Sequence, residues 1–187
     1  MSGKKSSVKE LSVKAVLTAL YFTLSLYSLS FGNFVISLAG FPVILGALLY
    51  GPLGGLEIGL LGAFLEQMMK YGLTVTTVLW ILPVGLRGLI VGLYASRSKY
   101  CITRAGLFAA LIAASLAVTA ANTAVMAADS LVFGYYSTQY VFGALLFRIL
   151  SGAGTSVVFL LLVWPVLSRL SPVLGGRLKR NGALRRG

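Results

Sequence analysis

Glu66 and Lys70 lie in an otherwise apolar stretch, AFLEQMMKYG (63–72). Glu66 is one of only four acidic residues in the chain, and Lys70 follows it by four positions. On a helix this order brings the two charges together as an ion pair. Ionisable groups inside membrane segments are costly and tend to face a cavity or each other. The spacing therefore predicts either a salt bridge within one helix or one wall of a binding site.

Several other polar side chains fall at a similar depth once the apolar segments are read as membrane helices. A carboxylate and an amide can bind the donor and acceptor edge of a heterocycle. An aromatic ring can stack on its face, and an arginine can bind a carboxylate through two parallel hydrogen bonds. We therefore predict a site for a flat polar molecule in the outer half of the bundle. Its candidate residues are Asn33, Glu66, Lys70, Trp80, Asn122, Tyr136 and Arg148.

Each candidate also has a purely structural interpretation. Trp80 and the tyrosines are typical of the aromatic belt at a membrane surface. Asn122 could bond a neighbouring helix. Arg87 is expected to be structural, bonding backbone carbonyls or meeting Glu57. Arg148, in the middle of a span, is the hardest to explain without a ligand.

The composition indicates which elements carry these residues. The chain has 187 residues, of which 58% are hydrophobic and 11% charged, and its mean hydropathy is +0.92. Soluble domains carry about 25% charged residues, and apolar runs of about 20 residues span a bilayer as helices. We predict an all-α membrane protein with six transmembrane helices in one bundle. The expected spans are about 11–31, 34–49, 55–71, 74–95, 105–128 and 138–166.

Basic residues predict the orientation of these spans. Thirteen of the sixteen lysines and arginines fall before or at the start of the first span, between the fourth and fifth, or after the sixth. Lys and Arg mark cytoplasmic loops, so both termini are predicted to be cytoplasmic in a multi-pass protein of the bacterial cell membrane. The expected organisation is a basic N-terminus (1–10), a transmembrane domain (11–168) and a basic tail (169–187). The net charge of +12 indicates affinity for anionic lipid rather than for nucleic acid.

Several kinds of chemistry are excluded by the residue types present. The chain has no histidine, one cysteine and four scattered acids, so it offers neither a His/Cys metal site nor a Ser-His-Asp triad. No GxxxxGK[ST] motif is present for binding ATP. We therefore expect no enzyme activity and no cofactor.

Ala15 and Ala19 form an AxxxA pair near the start of the first span. Small residues at this spacing mark close contacts between membrane helices. The contact could be inside the bundle or with an external partner helix, and the spacing alone favours the bundle.

Several motifs resemble the substrate-binding S-components of energy-coupling factor (ECF) vitamin transporters. The shared features are the basic N-terminus before an AxxxA helix and the stretches GALLYGPLGGLEIGLLGAF (46–64) and LPVGLRGLIVGLYA (82–95). FPVILGALLYGPLGG (41–55), NTAVMAADSLVFG (122–134) and the later Arg148 are most similar to the folate group. The similarity covers the second to sixth segments.

This resemblance implies a non-enzymatic subunit that binds a vitamin in a pocket closed by outer loops. It also implies an EcfT scaffold and two ECF ATPases as partners, with Ala15 and Ala19 contacting the scaffold. Folate or a related pterin is the expected substrate, with Glu66 and Asn122 on the pterin edge and Arg148 or Lys70 on the glutamate tail. Riboflavin, pantothenate and a queuosine precursor remain alternatives, as does a structural membrane protein without a ligand.

Overall fold

The computed structural model describes residues 8–31 and 34–174. Its elements follow the predicted spans closely along most of the chain. They are α1 (Val8–Leu26), β1 (Ser28–Phe31), β2 (Phe34–Ser37), α2 (Gly40–Tyr50), α3 (Pro52–Tyr71), α4 (Thr77–Arg97), α5 (Arg104–Val132), α6 (Thr138–Phe142) and α7 (Leu145–Leu174).

The predicted all-α bundle is confirmed, with the short α6 leading into α7 as the sixth helical segment. Within the described residues, three segments are long and apolar enough to cross a membrane: Thr77–Arg97, Arg104–Val132 and Thr138–Leu167. α1 begins at Val8, before the predicted domain start at residue 11, and α7 continues past the predicted tail start at residue 169. The orientation and the domain limits stay predictions.

The second predicted span was wrong in its first half. Phe34–Ser37 is a strand that pairs antiparallel with Ser28–Phe31, so a β-hairpin replaces the start of the second expected helix. It also replaces the end of the first, which was predicted to run to residue 31, whereas α1 ends at Leu26. The remaining helix, α2, has eleven residues, about 16 Å at 1.5 Å per residue. Val43 and Leu48 in α2 have no exposed surface. Other helices surround α2, so apolar residues occur on all of its faces. Hydropathy alone does not distinguish such a buried helix from one that faces lipid.

Glycines let α3 and α4 approach closely. A Cβ added to Gly55 would lie 2.7 Å from the carbonyl oxygen of Gly88, and one added to Gly59 would lie 2.9 Å from that of Val84. Such contacts between backbones are typical of membrane helices. The packing holds α3 and α4 side by side along their lengths.

We call the end of the bundle with the hairpin and the α3–α4 and α5–α6 connections the outer end, following the predicted orientation. The α3–α4 connection begins at Gly72, where a positive φ of 72° ends α3. Thr74 then hydrogen-bonds through its backbone nitrogen to the Thr77 hydroxyl at 2.8 Å, and its own hydroxyl lies 3.3 Å from that of Thr76. These bonds fix the connection beside the candidate site.

Candidate functional site

A cavity of about 560 Å³ opens at the outer end between α3, α4, α5 and the α5–α6 connection. Its volume lies within the range typical of small-molecule pockets. Polar and aromatic side chains share its wall, an arrangement that suits a flat ring with polar edges. The lining residues are Ala63, Glu66, Gln67, Tyr71, Thr74, Thr76, Trp80, Val84, Asn122, Asp129, Phe133, Tyr135 and Tyr140. We call this the outer cavity.

Glu66 lines the outer cavity and is also bonded to side chains behind it. Its Oε2 accepts a hydrogen bond from the buried Tyr21 hydroxyl at 2.8 Å, and its Oε1 lies 2.8 Å from Lys70 Nζ. Lys70 Nζ also donates to the backbone oxygen of Ser25 at 2.6 Å. The Glu66–Lys70 salt bridge and the cavity wall are therefore both present. The carboxylate is held in place from α1, which restricts its orientation towards a ligand.

Asp129 connects three elements around the same cavity. Its Oδ1 accepts from Trp80 Nε1 at 3.3 Å, and its Oδ2 accepts a short hydrogen bond from the Tyr135 hydroxyl. That bond raises the pKa of the Tyr135 phenol, so its hydroxyl keeps its proton at neutral pH. The Tyr135 ring meets Tyr140 edge to face, with centroids 5.4 Å apart. Asp129 thus holds Trp80 and the aromatic connection in one arrangement.

Asn122 lines the outer cavity without a hydrogen-bond partner for its side chain among the described residues. The expected alternative, a hydrogen bond between helices, is therefore not seen for it. An amide carries two donors and an acceptor, so its hydrogen-bonding groups are available to a ligand.

The other predicted site residues lie elsewhere. Lys70 does not line the outer cavity, since it points to Glu66 and to Ser25. Tyr136 is 45% exposed and is not part of the wall. Arg148 lines a different cavity. Asn33 lies outside the described residues. Whether these side chains contact a ligand stays a prediction.

A second cavity, with a volume of about 250 Å³, lies deeper in the bundle, mainly between α4, α5 and α7. We call it the inner cavity. Arg87 and Arg148 both line it, and Asn122 lines both cavities. Arg148 Nη1 donates to Thr123 Oγ1 at a long 3.5 Å. Arg87 was expected to bond backbone carbonyls or to meet Glu57, and the second of these alternatives was wrong. The Glu57 carboxylate bonds Lys14 at 2.8 Å, and Arg87 lies against the Phe159 ring, with its Cζ 5.7 Å from the centroid.

Sequence reasoning missed several lining residues. Asp129, Phe133, Tyr135 and Tyr140 all come from the end of α5, the connection after it and α6. The stretch VFGYYSTQY (132–140) is rich in aromatic residues; we placed only Tyr136 in the site and gave a membrane-surface belt as the alternative for the tyrosines. Asp129 is one of only four acidic residues, but its position near the end of a helix gave no indication of its contact with Trp80.

The predicted partner face of α1 points away from the bundle. Ala15 and Ala19 are exposed, whereas Leu17 and Tyr21 on the opposite face are buried. The internal packing that the AxxxA spacing favoured is therefore not seen. This leaves a smooth small-residue surface on α1.

A family model described as "ECF-type riboflavin transporter, S component" matches residues 5–169. The chain belongs to this family. It is therefore a multi-pass membrane protein and the non-enzymatic, substrate-binding S component of a vitamin transporter, as predicted from the sequence. The match is to the riboflavin type and gives no specific support to the folate group.

The fold of this S component is also found in a solved structure, described as "Structure and mechanism of the S component of a bacterial ECF transporter". The two share 21% identity with a TM-score of 0.65, over 87% of this chain and 97% of the other. No curated protein sequence matches the chain. At this identity the similarity concerns the fold, so the substrate must be argued from the site.

Proposed function

We propose that this S component binds riboflavin in the outer cavity for uptake by an ECF module. The observation that carries the proposal is a cavity of ligand size in which an unpartnered amide and a fixed carboxylate lie beside several aromatic rings. The match to the riboflavin-type family supports the same substrate. Folate is the second candidate.

The chemistry of the isoalloxazine ring fits this wall. Its pyrimidine edge carries one N–H between two carbonyls, and the Asn122 amide can both donate to and accept from such an edge. Trp80, Phe133 and Tyr140 offer ring faces and edges for stacking. Glu66 and Asp129 accept hydrogen bonds from ring N–H groups or from hydroxyls of the sugar-alcohol chain.

Folate is favoured by one observation. Its glutamate tail carries two carboxylates, and the arginines of the adjoining inner cavity could bind them. Its pterin ring offers an edge similar to that of the flavin. The two vitamins therefore differ in what they require of the inner cavity.

Ligand titration of the purified protein in detergent tests the proposal. Riboflavin fluoresces, and stacking on aromatic side chains quenches that emission, so a saturable quench would report binding directly. Folate, pantothenate and a queuosine precursor serve as competitors. If folate displaces riboflavin and binds with a lower Kd than riboflavin does, the site would be assigned to folate. Absence of any saturable quench would refute riboflavin.

Tyr140 and Tyr136 provide a matched pair for locating the site. Each tyrosine is 45% exposed, Tyr136 in the α5–α6 connection and Tyr140 in α6, but only Tyr140 lines the outer cavity. Tyr140→Ala is expected to weaken binding, and Tyr136→Ala to leave it unchanged. Equal losses would instead support the sequence-based assignment of Tyr136.

We further propose that the exposed α1 face contacts the EcfT scaffold. Ala15 and Ala19 present a small-residue surface on which another helix could pack closely. Ala109 on α5 is also an exposed alanine and provides the control position. A tryptophan at residue 15 or 19 should block assembly with the module, while one at residue 109 should not.

A further inference from the structure

We propose that the inner cavity is an oxyanion site, in which Arg87 and Arg148 bind one phosphate or carboxylate group. Both arginines line this single cavity, together with six hydroxyl side chains and no acidic residue. The proposal rests on the cavity and is independent of which vitamin occupies the outer cavity.

The chain has no negative charge left for these two arginines. Its four acids are all engaged elsewhere: Glu10 and Glu57 with Lys14, Glu66 with Lys70, and Asp129 with Trp80 and Tyr135. Two partly buried cations that line one cavity of a helical bundle, with no carboxylate in its wall, are unfavourable without an anion. A bound anion would supply the missing charge.

The cavity wall has donors without acceptors. The Ser151 hydroxyl is buried and has no hydrogen-bond partner among the described residues. No side-chain hydrogen bond or ion pair is found for Arg87 among the described residues, where it lies against the Phe159 ring, and Arg148 has one long bond, to Thr123. A buried polar group left without a partner costs free energy. An oxyanion accepts several hydrogen bonds at once, so it would satisfy these donors together.

The start of α2 adds to the positive field. Gly40 opens α2, and a Cβ at this glycine would overlap Arg87 Nη1, so the guanidinium lies directly against the helix start. The N-terminus of a helix carries partial positive charge. The positive guanidinium of Arg87 and the positive end of α2 repel each other. An anion nearby would attract both groups and offset this repulsion.

The anion has two possible sources. Asn122 lines both cavities, so an acidic group carried by a ligand in the outer cavity could extend into the inner one. Alternatively, a free anion from solution could enter by the same route. The chemistry of recognition is the same, and the experiment separates the two.

The first measurement is thermal unfolding of the purified full chain against inorganic phosphate, with sodium chloride holding the ionic strength constant. We expect a saturable rise in Tm because phosphate binds only the folded state. Arg148→Gln should abolish the rise. Arg97→Gln, which removes an exposed charge at the inner end of α4, should retain it.

Ser151→Ala keeps the proposal testable if Arg148→Gln does not fold. It removes one unpartnered hydroxyl, so the protein without phosphate should be no less stable, while half-saturation should require several-fold more phosphate. A rise in Tm that does not saturate, or that is equal in all variants, would overturn the oxyanion site.

The second measurement compares riboflavin with riboflavin 5′-phosphate by fluorescence titration. If the ligand supplies the anion, Arg148→Gln should lower the affinity for the phosphorylated form about tenfold relative to riboflavin, and inorganic phosphate should compete with it. If the anion is free, inorganic phosphate should strengthen riboflavin binding in the unmodified protein only. Phosphate stabilisation without any riboflavin binding would refute the proposed substrate and leave the oxyanion site standing.

Discussion

Replacing Gly55 by alanine should weaken the contact that sets the spacing of α3 and α4. The new Cβ would lie 2.7 Å from Gly88 O and 2.9 Å from Gly88 C. The nearer contact is about 0.7 Å shorter than the 3.4 Å at which ordinary contacts begin. The new Cβ would also lie 2.6 Å from the Cβ of Ala47 in α2. Neither the backbone of Gly88 nor a Cβ atom can move by side-chain rotation, so α3 must shift away from α4 and α2.

We expect a loss of about 1–3 kcal/mol in the free energy of unfolding, the usual cost of overpacking a tight interface. For a chain of this length, 1 kcal/mol corresponds to about 2–4 °C in Tm. Riboflavin affinity should fall as well, because Glu66 on α3 and Trp80 on α4 both line the outer cavity.

Gly154 on α7 provides the matched control. A Cβ at Gly154 would meet nothing within 4 Å, so Gly154→Ala should leave Tm unchanged or slightly raised. Thermal unfolding and ligand titration of both variants are the measurements. If Gly55→Ala and Gly154→Ala behave alike, α3 and α4 do not pack as closely as described.

The remaining predictions concern the ligand and the partner. Glu66→Gln should weaken riboflavin binding about tenfold or more, since it removes a partly buried charged acceptor, and Lys70→Met should matter less; equal losses would mean that only the salt bridge is important. Asn122→Leu, close in volume, should reduce affinity without lowering Tm because the amide has no partner to lose, and a drop in Tm would contradict this. Ala15→Trp or Ala19→Trp should preserve binding but abolish uptake by cells, and lost binding would exclude the partner contact.

The sequence was most informative where charge and length act locally. The order of Glu66 and Lys70 predicted their salt bridge, and long apolar runs predicted α4 and α5 to within a few residues. The gap between the predicted spans 34–49 and 55–71 contains Gly51, where a positive φ of 84° separates α2 from α3. These features depend on neighbours in the chain.

Contacts between residues far apart in the chain were harder to predict from the sequence. Tyr21 and Glu66 are 45 positions apart, and Trp80 and Asp129 are 49 apart, so nothing local indicates either hydrogen bond. The hairpin was read as helix because its second strand, FVIS, continues the apolar run of α2. Glu57 was one of the two kinds of partner expected for Arg87, but the partner of Glu57 depends on how α1 packs on α3, which places Lys14 beside it instead.

α1 joins two surfaces that the proposals treat separately. Its exposed face carries Ala15 and Ala19, while Tyr21 and the Ser25 carbonyl on the same helix hold Glu66 and Lys70. A displacement of α1 by a partner helix would therefore act on the carboxylate at the cavity wall. Binding free energies are reciprocal, so whatever factor the partner imposes on vitamin affinity, the vitamin must impose on partner affinity. A vitamin-free and a vitamin-bound subunit would then differ in affinity for the same ECF module. The coupling between the two sites would pass through the single helix α1.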